Sequence, residues 1–363
     1  MKKRYRLKVL FQAFSNLVSI NVDFVNSLIV KGADMHVIPE LYLAKFTLAR
    51  EKVLHGYKAK LVPIDLIFKF FSSNTMLRNY LAKFDVIHIT GFTSFIRKLV
   101  KGSCKPTILT LGIPLPKEYE DLLDYVDVIV APSRFTSQCS KENVPQISNL
   151  QNKILIIPWG VNTTLFNPLI SRDYSRECLN IPKDKKVILW NSRISPEKDL
   201  ETLIEAAELV ARNVLFYIKG RGLNKQYWRR LRNRVKKLEK EGVLRPHIGW
   251  IDYRKLPFLY RASDIFVHTS TFEAFGLVFL EAMACGIPII AANAATASEI
   301  LGEAALLFKP RDPYDLADKI LSLLNDYELQ YKLSLRGIKR VKNFDWKIIA
   351  EKYCSIYSSL VKR

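Results

Sequence analysis

Short, unbroken apolar runs alternate with helical patterns along the whole 363-residue chain. LKVLF, DMHVIP, DVIHIT, PTILTL and DVIVA lie in the first half; ILIIP, KVILWN, VLFYIKG, HIGWI, DIFVH and IPIIAA lie in the second. Runs of this kind, without polar alternation, are the pattern of parallel strands buried on both faces. Between them come stretches of helical period such as PEKDLETLIEAAELVARN and DPYDLADKILSLLNDYELQ. The alternation predicts right-handed βαβ units and doubly wound sheets, an α/β fold class. A chain of this length needs more than one hydrophobic core, so two domains are expected. The segment ILIIPWGVNTTLFNPLISRDYS leaves a strand, meets Pro158 and Gly160, turns polar and passes Pro168 before the next strand. It places the seam near residue 168. The expected division is residues 1–168, residues 169–345 and a closing helix at 346–363. There is no repeat of solenoid period and no low-complexity tract.

Composition narrows the class. A hydrophobic content of 49% with 11% aromatics supplies packed cores and argues against general disorder. No uncharged apolar run reaches the roughly 18 residues that a membrane span needs. The basic start MKKRYRLKVLFQ reads as a first strand rather than a signal peptide, because its apolar stretch is short and no A-x-A-like site follows. Cys104, Cys139, Cys178, Cys285 and Cys354 are scattered and form no C-x-x-C. That suits a reducing cytoplasm and argues against structural zinc. The net charge of +21 is spread over both halves: residues 1–162 hold 22 Lys and Arg against 12 Asp and Glu, and residues 163–363 hold 34 against 23. Such a field favours anionic membrane, nucleic acid or phosphorylated substrates, without choosing among them.

Candidate chemistry concentrates in residues 271–288, TFEAFGLVFLEAMACGIP. DIFVHTS reads as a strand, TFEAF as a loop, and GLVFLEAMAC as a helix ended by Gly286 and Pro288. In a parallel sheet the loop leaving a strand's carboxyl end opens into the ligand crevice. Amides around Phe275, Gly276 and Leu277 would form a helix N-terminus, a seat for phosphate or a sugar hydroxyl. Gly276 permits close approach of the backbone. Glu273 precedes that seat, and Glu281 lies about 7 Å further along the helix. Two carboxylates flanking an anion site suit a ligand rich in hydroxyls. The competing reading makes Glu281 a surface helix residue and Glu273 a charge favoured by the helix dipole.

The spacing E-x7-E in EAFGLVFLEAMACGIP resembles the signature of retaining GT-B glycosyltransferases, in particular family 4. WNSRISPEKDLETLIEA is similar to that family's strand-loop-helix carrying an Arg and a Lys, here Arg193 and Lys198. WIDYRKLPFLYRASDIFVHTS, PWGVNTTLFNP, SEILGEAALLFKPRDPYDLADKI and NFDWKIIAEKYCSIYSSL resemble further family segments, in the family's order over roughly residues 155–363. The resemblance implies two Rossmann-like domains facing a cleft, the first for the acceptor and the second for a nucleotide-sugar, with the final helix crossing back to the first. It implies that Arg193 and Lys198 hold the donor diphosphate, Glu273 contacts a donor-sugar hydroxyl and Glu281 the ribose. Backbone groups of Ala274, Phe275, Gly276 and Leu277 would meet sugar and phosphate, and those near Trp250 and Ile251 would read the base. The implied reaction moves a hexose from a UDP- or GDP-sugar to a lipid-linked or polymeric glycan acceptor. Configuration is retained by front-side attack, with the leaving phosphate helping to deprotonate the acceptor. No cofactor or metal is expected, and the chain contains no D-x-D to bridge a diphosphate through one. Fixed cations such as Arg193 and Lys198 would then stabilise the departing charge.

The N-terminal half departs from the family. The Gly-Gly loop expected after the first strand reads FQAFSNLVSINVDF, and no histidine follows PTILTLGIP, where Gly112 is the small residue. His88 in DVIHITGF is the N-terminal catalytic candidate, against the alternative of a core histidine. His268 in DIFVHTS is a candidate to touch the donor, against simple packing. The helix KQYWRRLRNRVKKLEK carries eight basic residues and one acid, either a solvated face or a polyanion contact. IDLIFKFFSSNTMLRNYLAKF, with Phe70, Leu77, Leu81 and Phe84 on one face, reads as a core helix or as an interfacial helix meeting anionic lipid. The leading expectation is a cytoplasmic, membrane-peripheral glycosyltransferase. Its rivals are a DNA-modifying glycosyltransferase, a non-catalytic sugar-nucleotide-binding protein and, more weakly, an epimerase or phosphorylase of the same fold.

Overall fold

The computed structural model describes residues 7–12, 18–38, 60–61, 73–92, 94–210, 214–222 and 224–362. Its strands are β1 (Lys8–Gln12), β2 (Asp34–Ile38), β3 (Lys60–Leu61), β4 (Val86–Thr90), β5 (Thr107–Thr110), β6 (Val128–Ala131) and β7 (Ile154–Ile156), followed by β8 (Lys186–Ile194), β9 (Val214–Gly222), β10 (Leu244–Ile248), β11 (Ile265–His268), β12 (Ile289–Ala292) and β13 (Ala305–Phe308). They form two sheets, β3-β2-β1-β4-β5-β6-β7 and β10-β9-β8-β11-β12-β13. Every pairing is parallel. The expected α/β class with two doubly wound sheets is the observed architecture. All positions of β4, β5, β11 and β12 are buried, the physical counterpart of their continuous apolar runs.

The chain divides into two compact units: Met1–Gly160 together with Asp345–Arg363, and Val161–Phe344. The division thus falls earlier than the expected seam near residue 168, directly after the Pro158–Gly160 turn. In the second unit the chain steps outward from β8 through β9 to β10, then returns to place β11 on the other side of β8. Loops after β8 and β11 therefore leave the sheet at a reversal of strand order, where a crevice opens at the carboxyl ends.

Four elements differ from the sequence reading. The strand expected at HIGWI is Leu244–Ile248; Pro246 is accommodated because β10 is an edge strand. The other edge, β13, is four residues long and only half-buried, so it gave no strong apolar run. The helix expected from Pro196 begins at Leu200: Pro196–Lys198 is a single 3-10 turn, and Asp199 at φ 48° redirects the chain. The stretch expected as one helix over 312–330 is split at Asp326, whose side chain accepts from the Leu329 amide at 2.8 Å and starts the helix Tyr327–Val341.

Of the candidate interfacial helix, residues 62–72 lie outside the described residues. Ser73 caps a separate helix, Asn74–Leu81, by accepting from the Met76 amide, which explains the polar break in the face. Leu77, Leu81 and Phe84 are buried in the first unit's core, so the described part of this face is core rather than surface, and Phe70 lies outside the described residues.

His88 is the clearest correction in the first unit. It sits in the middle of β4 rather than at a crevice end and is fully buried. Its Nδ1 lies 2.7 Å from the Tyr357 hydroxyl and its Nε2 2.8 Å from Thr110 Oγ1. Its ring stacks on Tyr353. Tyr353 and Tyr357 belong to the last helix, Trp346–Val361, whose Trp346, Ile349, Ala350, Tyr353, Ile356, Tyr357 and Leu360 form one buried stripe. With both nitrogens occupied and no solvent path, His88 is a core residue that fastens this helix to β4. Its expected catalytic role has no geometry to support it.

Burial pushes the His88 imidazole down to about 3. The folded state therefore excludes a proton that the unfolded chain accepts near pH 6.5. This contribution is fully present above pH 6.5 and is lost as pH falls towards 3, at up to about 1.4 kcal/mol per pH unit. His88→Gln, which keeps hydrogen-bonding capacity without titrating, is expected to flatten the fall in melting temperature between pH 6.5 and 4. Parallel pH–melting curves for the two proteins would refute this.

Candidate functional site

The side chains brought together come from the loops after β8 and β11. Lys198, at the end of the 3-10 turn, is held there by its own backbone: its carbonyl accepts from Thr269 Oγ1 at 2.8 Å, and Thr269 Oγ1 accepts from Trp190 Nε1 at 3.0 Å. The neighbouring Glu197 carbonyl takes the Thr271 amide at 2.9 Å, Ser270 Oγ at 3.2 Å and Thr271 Oγ1 at 3.2 Å. These bonds lace the two loops at the strand-order reversal.

Across that seam, the Lys198 ammonium donates to Glu273 Oε2 at 2.6 Å, and His268 Nε2 donates to the same oxygen at 3.2 Å. Burial opposes the charged form of Glu273, yet the His268 hydrogen bond and the Lys198 charge outweigh it and hold the carboxyl down at about 2. His268 is 2% exposed; burial pushes its imidazole down, and Nδ1 has no partner. It is a neutral ring that donates through Nε2, flanked by Phe266 and Phe279. His268 is thus packed beneath Glu273 and presents almost no exposed surface for the donor contact expected of it. Glu273 keeps an exposed edge, with 23% of its side chain accessible, and Oε1 has no partner among the described residues.

Gly276 follows at φ 87°, where a Cβ would sit 2.4 Å from the Phe279 ring, so the position admits only glycine. It starts the helix Leu277–Ala284, and no side chain caps that N-terminus. The Phe279 amide turns back to the Gly276 carbonyl at 2.9 Å. Ala274 and Phe275 complete the loop; Phe275 is buried, and its carbonyl accepts from Thr296 Oγ1 at 3.0 Å.

Glu281 is not a surface residue. It is 8% exposed and accepts from the Tyr260 hydroxyl at 2.6 Å, which in turn accepts from Asn191 Nδ2 at 2.9 Å. Burial pushes its carboxyl up to about 7, against the Tyr260 hydrogen bond and the Lys219 charge. Tyr260 and Asn191 were missed by sequence reasoning. They lie 21 and 90 residues upstream of Glu281, and no spacing rule joins a strand, a separate helix and this glutamate.

Arg193 is 58% exposed and pairs with Glu197 at 3.2 Å. Trp250 is 78% exposed and Ile251 half-buried on the loop after β10, beside the Gly249 amide that donates to the Gly220 carbonyl at 2.8 Å. Among the described residues no cluster of His, Cys, Asp and Glu could hold a metal ion.

Comparison with known proteins follows the same geography. Residues 171–340 match the family model for Glycosyl transferases group 1. The O-antigen chain mannosyltransferase B of Escherichia coli is 30% identical over 177 residues, covering 47% of this chain and 45% of that protein. The D-inositol 3-phosphate glycosyltransferase of Corynebacterium diphtheriae is 27% identical over 254 residues, covering 66% and 57%. The chain thus spans about half the length of the curated relatives it matches. Among solved structures, Alr3699/HepE of Anabaena, in complex with UDP and glucose, superimposes with a TM-score of 0.79 at 21% identity, over 98% of this chain and 100% of that one. The fold is the two-domain, Rossmann-like GT-B fold.

The raised Glu281 carboxyl has a stability consequence of known sign. Its folded-state value near 7 lies above the ordinary 4.5, so its neutral form is favoured by folding and a penalty grows as pH rises from 4.5 through 7. Glu281→Gln keeps the acceptor for Tyr260 and removes the charge. It is expected to be more stable than the parent by about 1–3 kcal/mol at pH 8 and nearly equal at pH 5. A variant destabilised equally at both pH values would show that Glu281 is needed there as a carboxylate.

Proposed function

We propose that this protein is a retaining hexosyltransferase of the family 4 type, taking its sugar from a nucleoside-diphosphate donor. One observation carries the reading: Glu273 has one oxygen fixed by buried donors and the other open, directly before an uncapped helix N-terminus at the carboxyl ends of β8 and β11. A fixed, ionised acceptor beside a helix N-terminus suits a sugar hydroxyl next to a phosphate. Arg193, exposed and with one contact, is the cation for the diphosphate. Glu281 meets the ribose once its Tyr260 contact yields. Trp250 and Ile251 border the base. The match of residues 171–340 to Glycosyl transferases group 1 supports sugar transfer. The UDP and glucose named for the Anabaena structure make UDP-glucose the first donor to try.

Front-side displacement with retention needs no enzymic nucleophile, and none is assigned. Transfer needs no metal in this reading, since Arg193 and the helix amides supply the charge stabilisation.

The acceptor is proposed to be lipid-linked or a polymeric glycan at an anionic surface. The supporting observation is the helix Lys225–Lys240. Its Tyr227, Leu231, Val235 and Leu238 are buried, while Lys225, Arg229, Arg232, Lys236 and Lys240 recur along the exposed side. None of these five forms an ion pair among the described residues, whereas Arg234 is neutralised by Glu205 and Glu208. At about 1 kcal/mol per cation near an anionic membrane, the stripe supplies about 5 kcal/mol.

Two experiments test these readings. In a thermal-shift panel of UDP, GDP, ADP and their sugar conjugates, one nucleotide is expected to raise the melting temperature. Glu273→Gln is expected to retain that shift while losing about tenfold or more in turnover. Absence of any shift, or full activity in the variant, would overturn the donor site. For the surface, the protein is expected to sediment with vesicles rich in phosphatidylglycerol at low salt and to be released at high salt. Arg229→Glu/Arg232→Glu/Lys236→Glu should abolish this, while Lys332→Glu/Lys339→Glu/Lys347→Glu, with the same change of net charge, should not. Equal loss in both variants, or tighter binding to duplex DNA than to vesicles, would refute the membrane assignment.

A further inference from the structure

We infer that His268 is a positioning residue for Glu273: its Nε2–H anchors the carboxylate from inside the fold, so that the lysine bonded to the same oxygen can also serve the donor diphosphate. The inference rests on reading the site as a sugar-nucleotide site. It gives His268 a role other than the donor contact expected from the sequence.

Two donors meet at Glu273 Oε2, and they are unlike. Lys198 Nζ lies 2.6 Å away, at the end of a flexible stem from the loop after β8, and stands 3.3 Å from both Ser270 Oγ and the Phe272 carbonyl. The family resemblance gives this lysine a second duty at the donor diphosphate. His268 Nε2 lies 3.2 Å away, on the last residue of β11, five positions before Glu273. Its backbone is fixed by the sheet, where His268 is in register with Ala291 of β12. Its ring is fixed by two others: it stacks on Phe266 with centroids 6.0 Å apart and meets Phe279 nearly at right angles at 5.0 Å. Phe279 also lies under Gly276, and a Cβ on Gly276 would come 3.3 Å from Glu273 Cγ. Strand end, imidazole, Phe279 and the Glu273 loop therefore form one packed unit. A donor built into that unit stays in place when a phosphate draws on the Lys198 ammonium.

Burial points the same way. His268 is 2% exposed, and its Nδ1 finds no partner among the described residues. An apolar side chain of similar volume would fill the slot between Phe266 and Phe279 without leaving a ring nitrogen unpaired. What the histidine brings to that slot is Nε2–H, and Glu273 is what it meets. Against the effect of burial, this hydrogen bond comes ahead of the Lys198 charge in keeping the Glu273 carboxyl ionised. The ring itself is kept neutral by burial, so it supplies a donor without adding a second cation beside the lysine.

Calorimetry with UDP, and turnover of UDP-glucose followed as UDP released, test the role; should the thermal-shift panel select another nucleotide, it and its sugar conjugate take their place. His268→Leu is expected to bind UDP within about twofold of the parent, because UDP carries no sugar for Glu273 to meet. Its kcat on UDP-glucose is expected to fall about tenfold or more, the loss of a hydrogen bond to a charged group. His268→Gln, whose amide can donate to the same oxygen, is expected to return kcat to within about threefold of the parent. His268→Leu/Glu273→Gln is expected to be no slower than Glu273→Gln alone, since the histidine acts through that carboxylate. The double variant also lacks the charge that loses its donor, so it carries the test if His268→Leu folds poorly. Three results overturn the role of His268 and leave the donor site standing: a His268→Leu protein with the parent's kcat, one that loses UDP affinity in step with kcat, or a double variant about tenfold slower than Glu273→Gln. A parent protein that binds no nucleoside diphosphate overturns the donor-site reading and this inference with it.

Discussion

The pairing of Lys198 with Glu273 is the constraint on which the second unit's site depends. Lys198 follows β8 and Glu273 follows β11, strands that neighbour each other only because the sheet order reverses there. A buried charge pair contributes little net stability, because desolvating both ions offsets most of their attraction. What it does impose is geometry, since either charge alone in that position would be costly. The hydrogen bonds from Thr269, Ser270 and Thr271 to the backbone of Glu197 and Lys198 follow from the same need: the two loops must meet within hydrogen-bond distance for the pair to form. Asp199, in the left-handed region directly after Lys198, turns the chain into the next helix without pulling the lysine away.

Two glutamates eight positions apart end in opposite electrostatic states. Glu273 faces an ammonium and an imidazole N–H and is held ionised down to about pH 2. Glu281 faces a tyrosine hydroxyl in a buried pocket and is pushed up to about 7. The difference arises from neighbours, not from the residue or its distance along the helix. One carboxylate is a permanent acceptor at the loop's edge. The other changes charge near neutrality, so its capacity as an acceptor depends on pH and on whether Tyr260 keeps its hold.

The first unit is organised around a different contact. His88, Thr110, Tyr353 and Tyr357 form a buried polar and aromatic cluster that ties the last helix to β4 and β5. Gly160 takes part as well, since a Cβ there would come within 2.5 Å of the Trp346 ring. The histidine's chemistry is spent on packing this helix, which leaves the first unit without an assigned catalytic group. Of the glycine-free segment FQAFSNLVSINVDF, residues 13–17 lie outside the described residues.

The sequence by itself determined the α/β class, the parallel strands, the helix over 225–240 and the loop-glycine-helix unit that carries the E-x7-E glutamates. Each of these is written locally, in continuous apolar runs, in 3.6-residue periodicity or in a glycine that no other residue could replace. Edge strands were less legible, because β10 tolerates a proline and β13 is short and mostly half-buried. Only the tertiary structure decided that Lys198 meets the loop after β11, that Arg193 stays exposed beside Glu197, that Glu281 answers to Tyr260 and that His88 is core. Those facts depend on which side chains meet across strands separated by tens of residues. Residue type and spacing fix what a side chain can do, while burial and partners fix which of those things it does.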